Sequence, residues 1–252
     1  MNNYNSRIIA KLEVKKERLI KGISFEGLRH IGVPSAYANK YYTEGIDEIL
    51  YHDVTASLYG YNSLTKLVKN CSKSVFIPIT ISGGISSSND AIEMIASGGD
   101  KIAINTAFVS NNNLCEEIVN KVGSQAVTVS IDAKQIEKNK WNLFTEAGRE
   151  PTGIDVIEWA KLMAEKGVGE ILLTSIDQDG TKNGFDINLY QSVYEAVDVP
   201  IIISGGMGKL DHLTPLKDCP PSGIAIASIF HYDTFTIKEV KDFCSKLNLN
   251  IR

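Results

Sequence analysis

Short apolar runs alternate with longer segments of mixed polarity along the whole chain of 252 residues. There are eight such runs, at residues 8–14, 48–53, 75–81, 101–104, 126–131, 170–173, 200–203 and 223–226. Near-continuous apolar runs of this length are typical of parallel strands that are buried on both faces. The segments between them show helical periodicity, for example at 90–96, 155–166 and 187–196, with helix starts predicted at Asn89-Asp90 and Asp155.

The second half of the chain repeats a glycine-bearing phrase of the first half. Residues 81–84 and 203–206 both read Ile-Ser-Gly-Gly, 122 residues apart, and matching segments follow at 102–108 and 224–230. Such a repeat indicates two similar structural units. We therefore predict one α/β domain over residues 1–252, a (β/α)8 TIM barrel built from two repeated half-barrels, approximately 1–122 and 123–252. A doubly wound open sheet is the alternative, and it does not explain the repeat.

Two connections are longer than the others, at about residues 15–32 and 134–153. They follow the first and fifth predicted strands, which are equivalent under the repeat. Long loops after barrel strands belong on the catalytic face. Within the second loop, the segment Trp-Asn-Leu-Phe-Thr at 141–145 predicts a hairpin.

Composition excludes several classes of protein. The chain is 43% apolar and 22% charged, as in globular proteins, and its net charge of −4 without a basic run argues against nucleic acid as a partner. Four scattered cysteines show neither metal-ligand nor disulfide spacing. No apolar stretch approaches the ~20 residues of a membrane span. We expect a cytoplasmic protein with reduced thiols, no metal, no cofactor and no membrane partner.

Each glycine pair follows a predicted strand, where backbone N–H groups can approach an anion closely. The matched groups are Gly83-Gly84 with Asn105-Thr106, and Gly205-Gly206 with Ala227-Ser228. The simpler interpretation is that each pair only turns the chain. Because the two groups match, we predict two phosphate sites at one barrel mouth and a long ligand with a phosphate at each end.

Two acidic residues end equivalent strands, Glu13 on the first and Asp132 on the fifth. Two carboxylates on opposite sides of one ligand suit general acid and general base catalysis, although each could be only a hydrogen-bonded strand end. Polar residues also follow the second and sixth strands. Candidate hydroxyl binders there are residues 53–57 and residues 174–181, which include Thr174, Asp179 and Gly180, and turn capping is the alternative for both segments.

The chain resembles the cyclase subunit of imidazole glycerol phosphate synthase, the HisF family of histidine biosynthesis. The likeness covers essentially the whole chain. It is most specific at residues 169–177, Gly-Glu-Ile-Leu-Leu-Thr-Ser-Ile-Asp, followed by Asp-Gly-Thr at 179–181. Other matching stretches are Lys21-Gly22 with Phe25-Glu26, 100–107, 131–134 and 204–206.

The resemblance implies a reaction in which ammonia attacks a ribulosyl aminoimidazole carboxamide nucleotide with a phosphate at each end. The products are imidazole glycerol phosphate and an aminoimidazole carboxamide ribotide. In the family, a separate glutaminase subunit (HisH-like) forms a heterodimer with the barrel and sends ammonia through its interior. None of the cysteines lies in a Gly-x-Cys-x-Gly segment, so the glutaminase must be external.

The resemblance also assigns roles to particular residues. The catalytic acids of the family correspond to Glu13 and Asp132, and Lys21, in the first loop, is expected to bind the phosphorylated substrate. The charged ring that guards ammonia entry corresponds to Arg7, Glu48, Lys101 and Glu170.

The chain departs from the family pattern around its first strand. Glu13 replaces an aspartate and moves the carboxylate by about 1–1.5 Å, an error that costs ~100-fold in rate where positioning is tight. Lys11 replaces a cysteine, and we expect it to point into the barrel, where it blocks passage or pairs with an acid. Ser82 and Ser86 replace a glycine and an arginine.

Three functions therefore remain open. We favour the cyclase, a lyase of histidine biosynthesis. The alternative is a HisF-like ammonia-conducting subunit that works with a glutaminase and a sugar amidotransferase to make acetamidino sugars for surface polysaccharides. The third is a scaffold that only activates a glutaminase.

Overall fold

The computed structural model describes residues 5–56 and 64–252. Its strands are β1 (Arg7–Lys15), β2 (Arg18–Ile23), β3 (Glu26–Gly32), β4 (Glu48–Asp53), β5 (Ile79–Ser82), β6 (Lys101–Ile104), β7 (Val127–Glu137), β8 (Lys140–Thr145), β9 (Glu150–Asp155), β10 (Glu170–Ser175), β11 (Ile201–Ser204) and β12 (Gly223–Ile226).

Eight of these strands are parallel neighbours and close into a barrel. Their order is β1, β4, β5, β6, β7, β10, β11 and β12, and β12 pairs with β1 from Arg7↔Gly223 to Ala10↔Ile226. Helices lie between the strands along the chain. The predicted (β/α)8 barrel is thus confirmed, and the open sheet is wrong because a closed barrel has no free edge strand.

The α-helices of the described residues are Pro34–Thr43, Leu64–Cys71, Ser88–Ala96, Thr106–Ser110, Asn113–Val122, Val156–Glu165, Ile187–Tyr194, Ser228–His231 and Ile237–Lys246. Asp155 caps its helix as predicted, since its carboxylate accepts from the N–H groups of Ile157 and Glu158. The predicted start at Asn89-Asp90 is wrong. Ser87 is the N-cap, and Asp90 completes a capping box three residues later.

The strands are apolar on both faces because both faces are buried. Alternate side chains point outward to the helices or inward to the barrel axis. Outward residues such as Ile8, Ile49 and Ile81 join the main core. Inward residues form a separate layer, which we call the inner apolar layer: Ile9, Leu50, Ala103, Leu172, Ile202 and Ala225.

One predicted strand begins in the wrong place. Residues 75–77 are apolar, but β5 starts only at Ile79. Pro78, directly before it, lacks an N–H group and contributes only its carbonyl, which accepts from Ile49 N. Phe76 is 74% exposed, so the apolar residues of this segment do not make it part of a buried strand.

Both long connections are β-hairpins that extend barrel strands at the mouth. β2 and β3 continue β1, and β8 and β9 continue β7, with the predicted 141–145 segment lying in β8. The first hairpin folds over the mouth, because Ser24 N donates to Asp179 O at 2.8 Å. A Cβ on Gly148, in the second hairpin, would touch the Phe25 ring of the first.

Residues of the repeat occupy corresponding places in the barrel. His52 pairs with Ser82 between β4 and β5, and Thr174 pairs with Ser204 between β10 and β11. The division into half-barrels near residue 122, within one domain, stays a prediction. No helix among the described residues has the length and apolar character needed to cross a membrane.

Candidate active site

The two predicted acids lie at the same mouth of the barrel. Glu13 on β1 and Asp132 on β7 are each 3% exposed. Glu13 pairs in register with His52 of β4, and Asp132 pairs with Thr174 of β10. Because His52 and Thr174 are 122 residues apart, the acids occupy equivalent positions under the repeat.

Glu13 is surrounded by cations. Lys21, on the β2–β3 hairpin, donates from Nζ to both Glu13 carboxylate oxygens at 2.9 and 2.8 Å and to Asp179 Oδ2 at 3.0 Å. Lys11 Nζ lies 3.6 Å from Glu13 Oε1. Burial alone would raise the pKa of Glu13, but the charges of Lys21 and Lys11 outweigh burial and lower that pKa to about 2.

Asp132 has an uncharged hydrogen-bond partner. Asn105 Nδ2 donates to Asp132 Oδ2 at 2.9 Å and also to the backbone oxygen of Phe144 at 2.9 Å. Burial raises the pKa of Asp132 to about 6, against the opposing effects of the Lys11 charge and the Asn105 hydrogen bond. A carboxyl group with this pKa can exchange a proton near neutral pH.

The first glycine pair borders a cavity of about 520 Å³ that reaches from Gly83-Gly84 past Asn105 and Thr106 to Asp132. Gly83 has φ 99°, and a Cβ there would overlap the backbone oxygen of Asp53, so only glycine fits. The structure therefore places the residues predicted for the first phosphate site next to Asp132, one of the two predicted acids. Among the described residues that line this cavity there is no lysine or arginine.

The second glycine pair borders a much smaller cavity, of about 20 Å³. Gly205 and Gly206 have φ 95° and 105°, and a Cβ on Gly206 would overlap the backbone oxygen of Gly184. The walls of this cavity also include Ala227 and Ser228, which were predicted for this site, together with Asp179, Gly180 and Lys21. Lys11 lines it too, so this end of the site carries two cations.

Several buried hydroxyls lack a hydrogen-bond partner among the described residues, and they include Thr174 Oγ1, opposite Asp132, and Ser204 Oγ, opposite Thr174. Leaving such a group unpaired costs roughly 1–3 kcal/mol. That cost is typical of groups that bind a ligand, and Thr174 was predicted to do so. Residues 53–57 fit the alternative better, since Asp53 Oδ1 accepts from both N and Oγ1 of Thr55; Ser57 lies outside the described residues.

His52 is a site residue that we did not predict. Its Nδ1 lies 3.0 Å from Ser82 Oγ, and burial lowers its pKa to about 3, so the ring is neutral. Its position opposite Glu13 could have been found by aligning the two strands in register. Among the described residues, no three His, Cys, Asp or Glu side chains are grouped as a metal site would require.

The four residues predicted for the gate meet at the opposite end of the barrel. Arg7 Nη1 donates to Glu48 at 2.6 Å, and Arg7 Nη2 donates to Glu170. Lys101 Nζ donates to Glu170 at 2.9 Å and lies 3.5 Å from Glu48. Each comes from the start of its strand, and together they close a ring of alternating charge below the inner apolar layer.

Comparison with known proteins agrees with this architecture. Residues 7–236 match the model of the family described as "Histidine biosynthesis protein". The chain is 50% identical over 207 residues to imidazole glycerol phosphate synthase subunit HisF of Legionella pneumophila, covering 82% of this chain and 98% of that protein. It is 45% identical over 246 residues to the subunit HisF of Pyrococcus furiosus, and 44% identical over 247 residues to that of Bacillus cereus, covering 98% of each chain.

The chain belongs to the histidine biosynthesis protein family. Within that family, its resemblance to imidazole glycerol phosphate synthase subunit HisF is confirmed. All three relatives carry this name, which favours the lyase-type cyclase over the surface-polysaccharide alternative.

Proposed function

We propose that the chain is the cyclase subunit of imidazole glycerol phosphate synthase. It converts the ribulosyl aminoimidazole carboxamide nucleotide and ammonia to imidazole glycerol phosphate, an aminoimidazole carboxamide ribotide and water, the water carrying away the substrate's carbonyl oxygen. The observation that carries this proposal is the placement of Glu13 on β1 and Asp132 on β7 at one mouth, with the two glycine pairs, which follow β5 and β11, on the two sides between them. This arrangement suits a long substrate held at both ends with its reacting carbons between two acids.

The two acids have different roles in this proposal. Asp132 gives a proton to the substrate carbonyl oxygen as ammonia adds to its carbon, and takes a proton from the added nitrogen. Its pKa of about 6 supports both transfers. Glu13 stays a carboxylate and stabilises the positive charge that develops on the nitrogen, which its lowered pKa supports.

The phosphate groups bind at the glycine pairs. Lys21, Asp179 and Gly180 lie against the second pair, and Lys21 supplies the cation for the phosphate held there with Ala227 and Ser228. At the first pair, backbone N–H groups and the Thr106 hydroxyl hold the other phosphate without a cation among the described lining residues. The first phosphate is therefore held more weakly than the second.

Ammonia enters at the opposite end in this proposal. A glutaminase subunit docks against the ring of Arg7, Glu48, Lys101 and Glu170 and releases ammonia into the barrel. The inner apolar layer above the ring favours neutral ammonia over ammonium, because burying an unpaired charge is costly. A sugar amidotransferase as a further partner stays a prediction.

The test is turnover without the glutaminase. The purified chain, given the nucleotide substrate and an ammonium salt at alkaline pH, consumes the substrate and forms both products. The scaffold and polysaccharide functions instead predict no consumption by the folded chain. If turnover is absent but appears in Glu13→Asp, the site has drifted from cyclase chemistry through its extra methylene.

A further inference from the structure

Lys11 lies inside the barrel and is 3% exposed. It pairs in register with Leu50 of β4 and follows Ile9 by two residues, so both lie on the inward face of β1. Ile9 and Leu50 belong to the inner apolar layer. The Lys11 ammonium group therefore stands where the apolar interior gives way to the polar mouth, a place where a charge is costly unless it is paired.

Lys11 is arranged differently from Lys21. Lys21 Nζ donates to both carboxylate oxygens of Glu13 and to Asp179. Lys11 Nζ lies 3.6 Å from Glu13, within ion-pair range but too far for a hydrogen bond, and 5.6 Å from the centre of the Phe25 ring. The Lys11 ammonium group is thus not hydrogen-bonded to the Glu13 carboxylate, and its positive charge also acts on other groups at the mouth.

The Lys11 charge also acts across the mouth. Among the influences that favour a charged Asp132, Lys11 is the largest, ahead of the hydrogen bond from Asn105. The equivalent position in the other half is Ser130, which pairs with Leu172 as Lys11 pairs with Leu50. A lysine at this position therefore occurs in only one half of the repeat, but its charge affects the pKa values of the acids in both halves.

We propose that Lys11 is a positioning residue for the acid pair: its buried ammonium group holds the Glu13 carboxylate in place, and its positive charge acts on Asp132 across the mouth. This inference rests on the cyclase function proposed above. Other titratable groups also face the pair, and any test has to hold them constant. They are Lys21 from β2, His52 from β4, Asp179 from the loop after β10 and His231 after β12.

The test replaces Lys11 by methionine, which keeps the apolar stem and removes the charge. Removing a cation raises the pKa of a nearby acid, so the limb of the pH–rate profile that reports Asp132 moves up by about one unit or more. The charged fraction of Asp132 at pH 7 then falls from about nine-tenths to about one-half, so turnover that follows the charged form falls roughly twofold at this pH. Lys134→Met is the matched control, because Lys134 also lies 5.6 Å from a ring, that of Phe144, but is exposed.

The same variants are examined by NMR titration of the side-chain carboxyl carbons, which needs no turnover. An upward shift of the Asp132 titration midpoint in Lys11→Met supports the inference, whether or not the wild-type chain is active. An inactive wild-type chain would overturn only the cyclase proposal. Unchanged titrations and an unchanged pH profile in a folded Lys11→Met chain would overturn the inference. If Lys11→Met does not fold, Lys11→Ser, which introduces the residue of position 130, gives the same reading.

Discussion

The β1 and β7 sides of the barrel mouth each hold one acid, at equivalent positions. The surroundings of the two acids nevertheless shift their pKa values in opposite directions. Glu13 on β1 lies against two buried lysines, and its pKa is lowered to about 2. Asp132 on β7 receives a hydrogen bond from the neutral amide of Asn105, and its pKa is raised to about 6. Equivalent backbone positions thus hold one acid with a lowered pKa and one acid with a raised pKa.

The difference comes from what each side places beside its acid. On the β1 side, the hairpin supplies Lys21, whose Nζ lies between Glu13 and Asp179. On the β7 side, the hairpin supplies a backbone oxygen, that of Phe144, which orients Asn105 towards Asp132. The β2–β3 hairpin places a cation beside its acid and so lowers the pKa of that acid. The β8–β9 hairpin places only uncharged groups beside its acid, so burial dominates and raises the pKa.

Asp132→Asn should have the largest effect on turnover. Removing a general acid–base group lowers the rate by roughly 10²–10⁴-fold. The same change should stabilise the fold at pH 7, because Asp132 has a raised pKa and its ionisation opposes folding as the pH rises from 3.8 to about 6. We expect a gain of the order of 1–3 kcal/mol in unfolding free energy, measured by denaturant titration.

Asp100→Asn is the matched control for that variant. Asp100 directly precedes β6, at the opposite end of the barrel, and accepts from Ile79 N at 2.8 Å, but its side chain is exposed. The control variant should turn over the substrate at the wild-type rate. An Asp132→Asn enzyme with near-wild-type turnover would remove the acid–base role and, with it, the contrast between the two sides.

Glu13→Gln should act on stability as well as on turnover. Removing one partner of a buried ion pair costs roughly 3–5 kcal/mol, since it leaves Lys11 and part of the Lys21 charge uncompensated. The stabilisation by Glu13 is complete above pH 4.5 and is lost as the pH falls towards about 2, because its pKa is lowered in the folded chain. Unfolding free energies at pH 7 and pH 3 measure this loss.

The control here is Glu158→Gln, which removes an exposed pair with Lys161 and should leave stability unchanged. A Glu13→Gln chain as stable as the wild type at pH 7 would mean that the lysines do not hold Glu13 as described.

His52→Thr should have the smallest effect, because it gives β4 the residue that β10 has at the equivalent position, Thr174. The His52 ring is neutral, so its removal takes away a contact with Ser82 but no charge from Glu13. We expect a change below about 1 kcal/mol in both stability and activation free energy. A larger loss of kcat would assign His52 a part in the chemistry.

Much of this fold was predictable because the repeat and the apolar runs report directly on buried parallel strands. The glycine pairs, the acid pair and the ring of four charges also lie together as predicted, since each sits at a strand end. Long-range contacts were not predictable in this way. Lys21 and Asp179 are 158 residues apart and meet only because the first hairpin folds over the mouth.

Two predicted element starts are wrong for physical reasons. The 75–77 segment is apolar but precedes Pro78, and sheet pairing starts only after that proline. The helix start near residue 90 was misplaced because Asp90 serves as the third residue of a capping box rather than as the cap. The charge division between the acids could not be read from residue type, since burial and three-dimensional neighbours determine it.

The most direct test of the divided acid pair is a site-resolved titration of the wild-type chain. Carboxyl-carbon chemical shifts of Glu13 and Asp132 are followed by NMR from pH 8 down to the acid limit of the folded state. We predict that Asp132 titrates with a midpoint near 6, while Glu13 remains charged until the pH approaches about 2. Midpoints for both acids near their ordinary values, or Glu13 titrating above Asp132, would contradict the account.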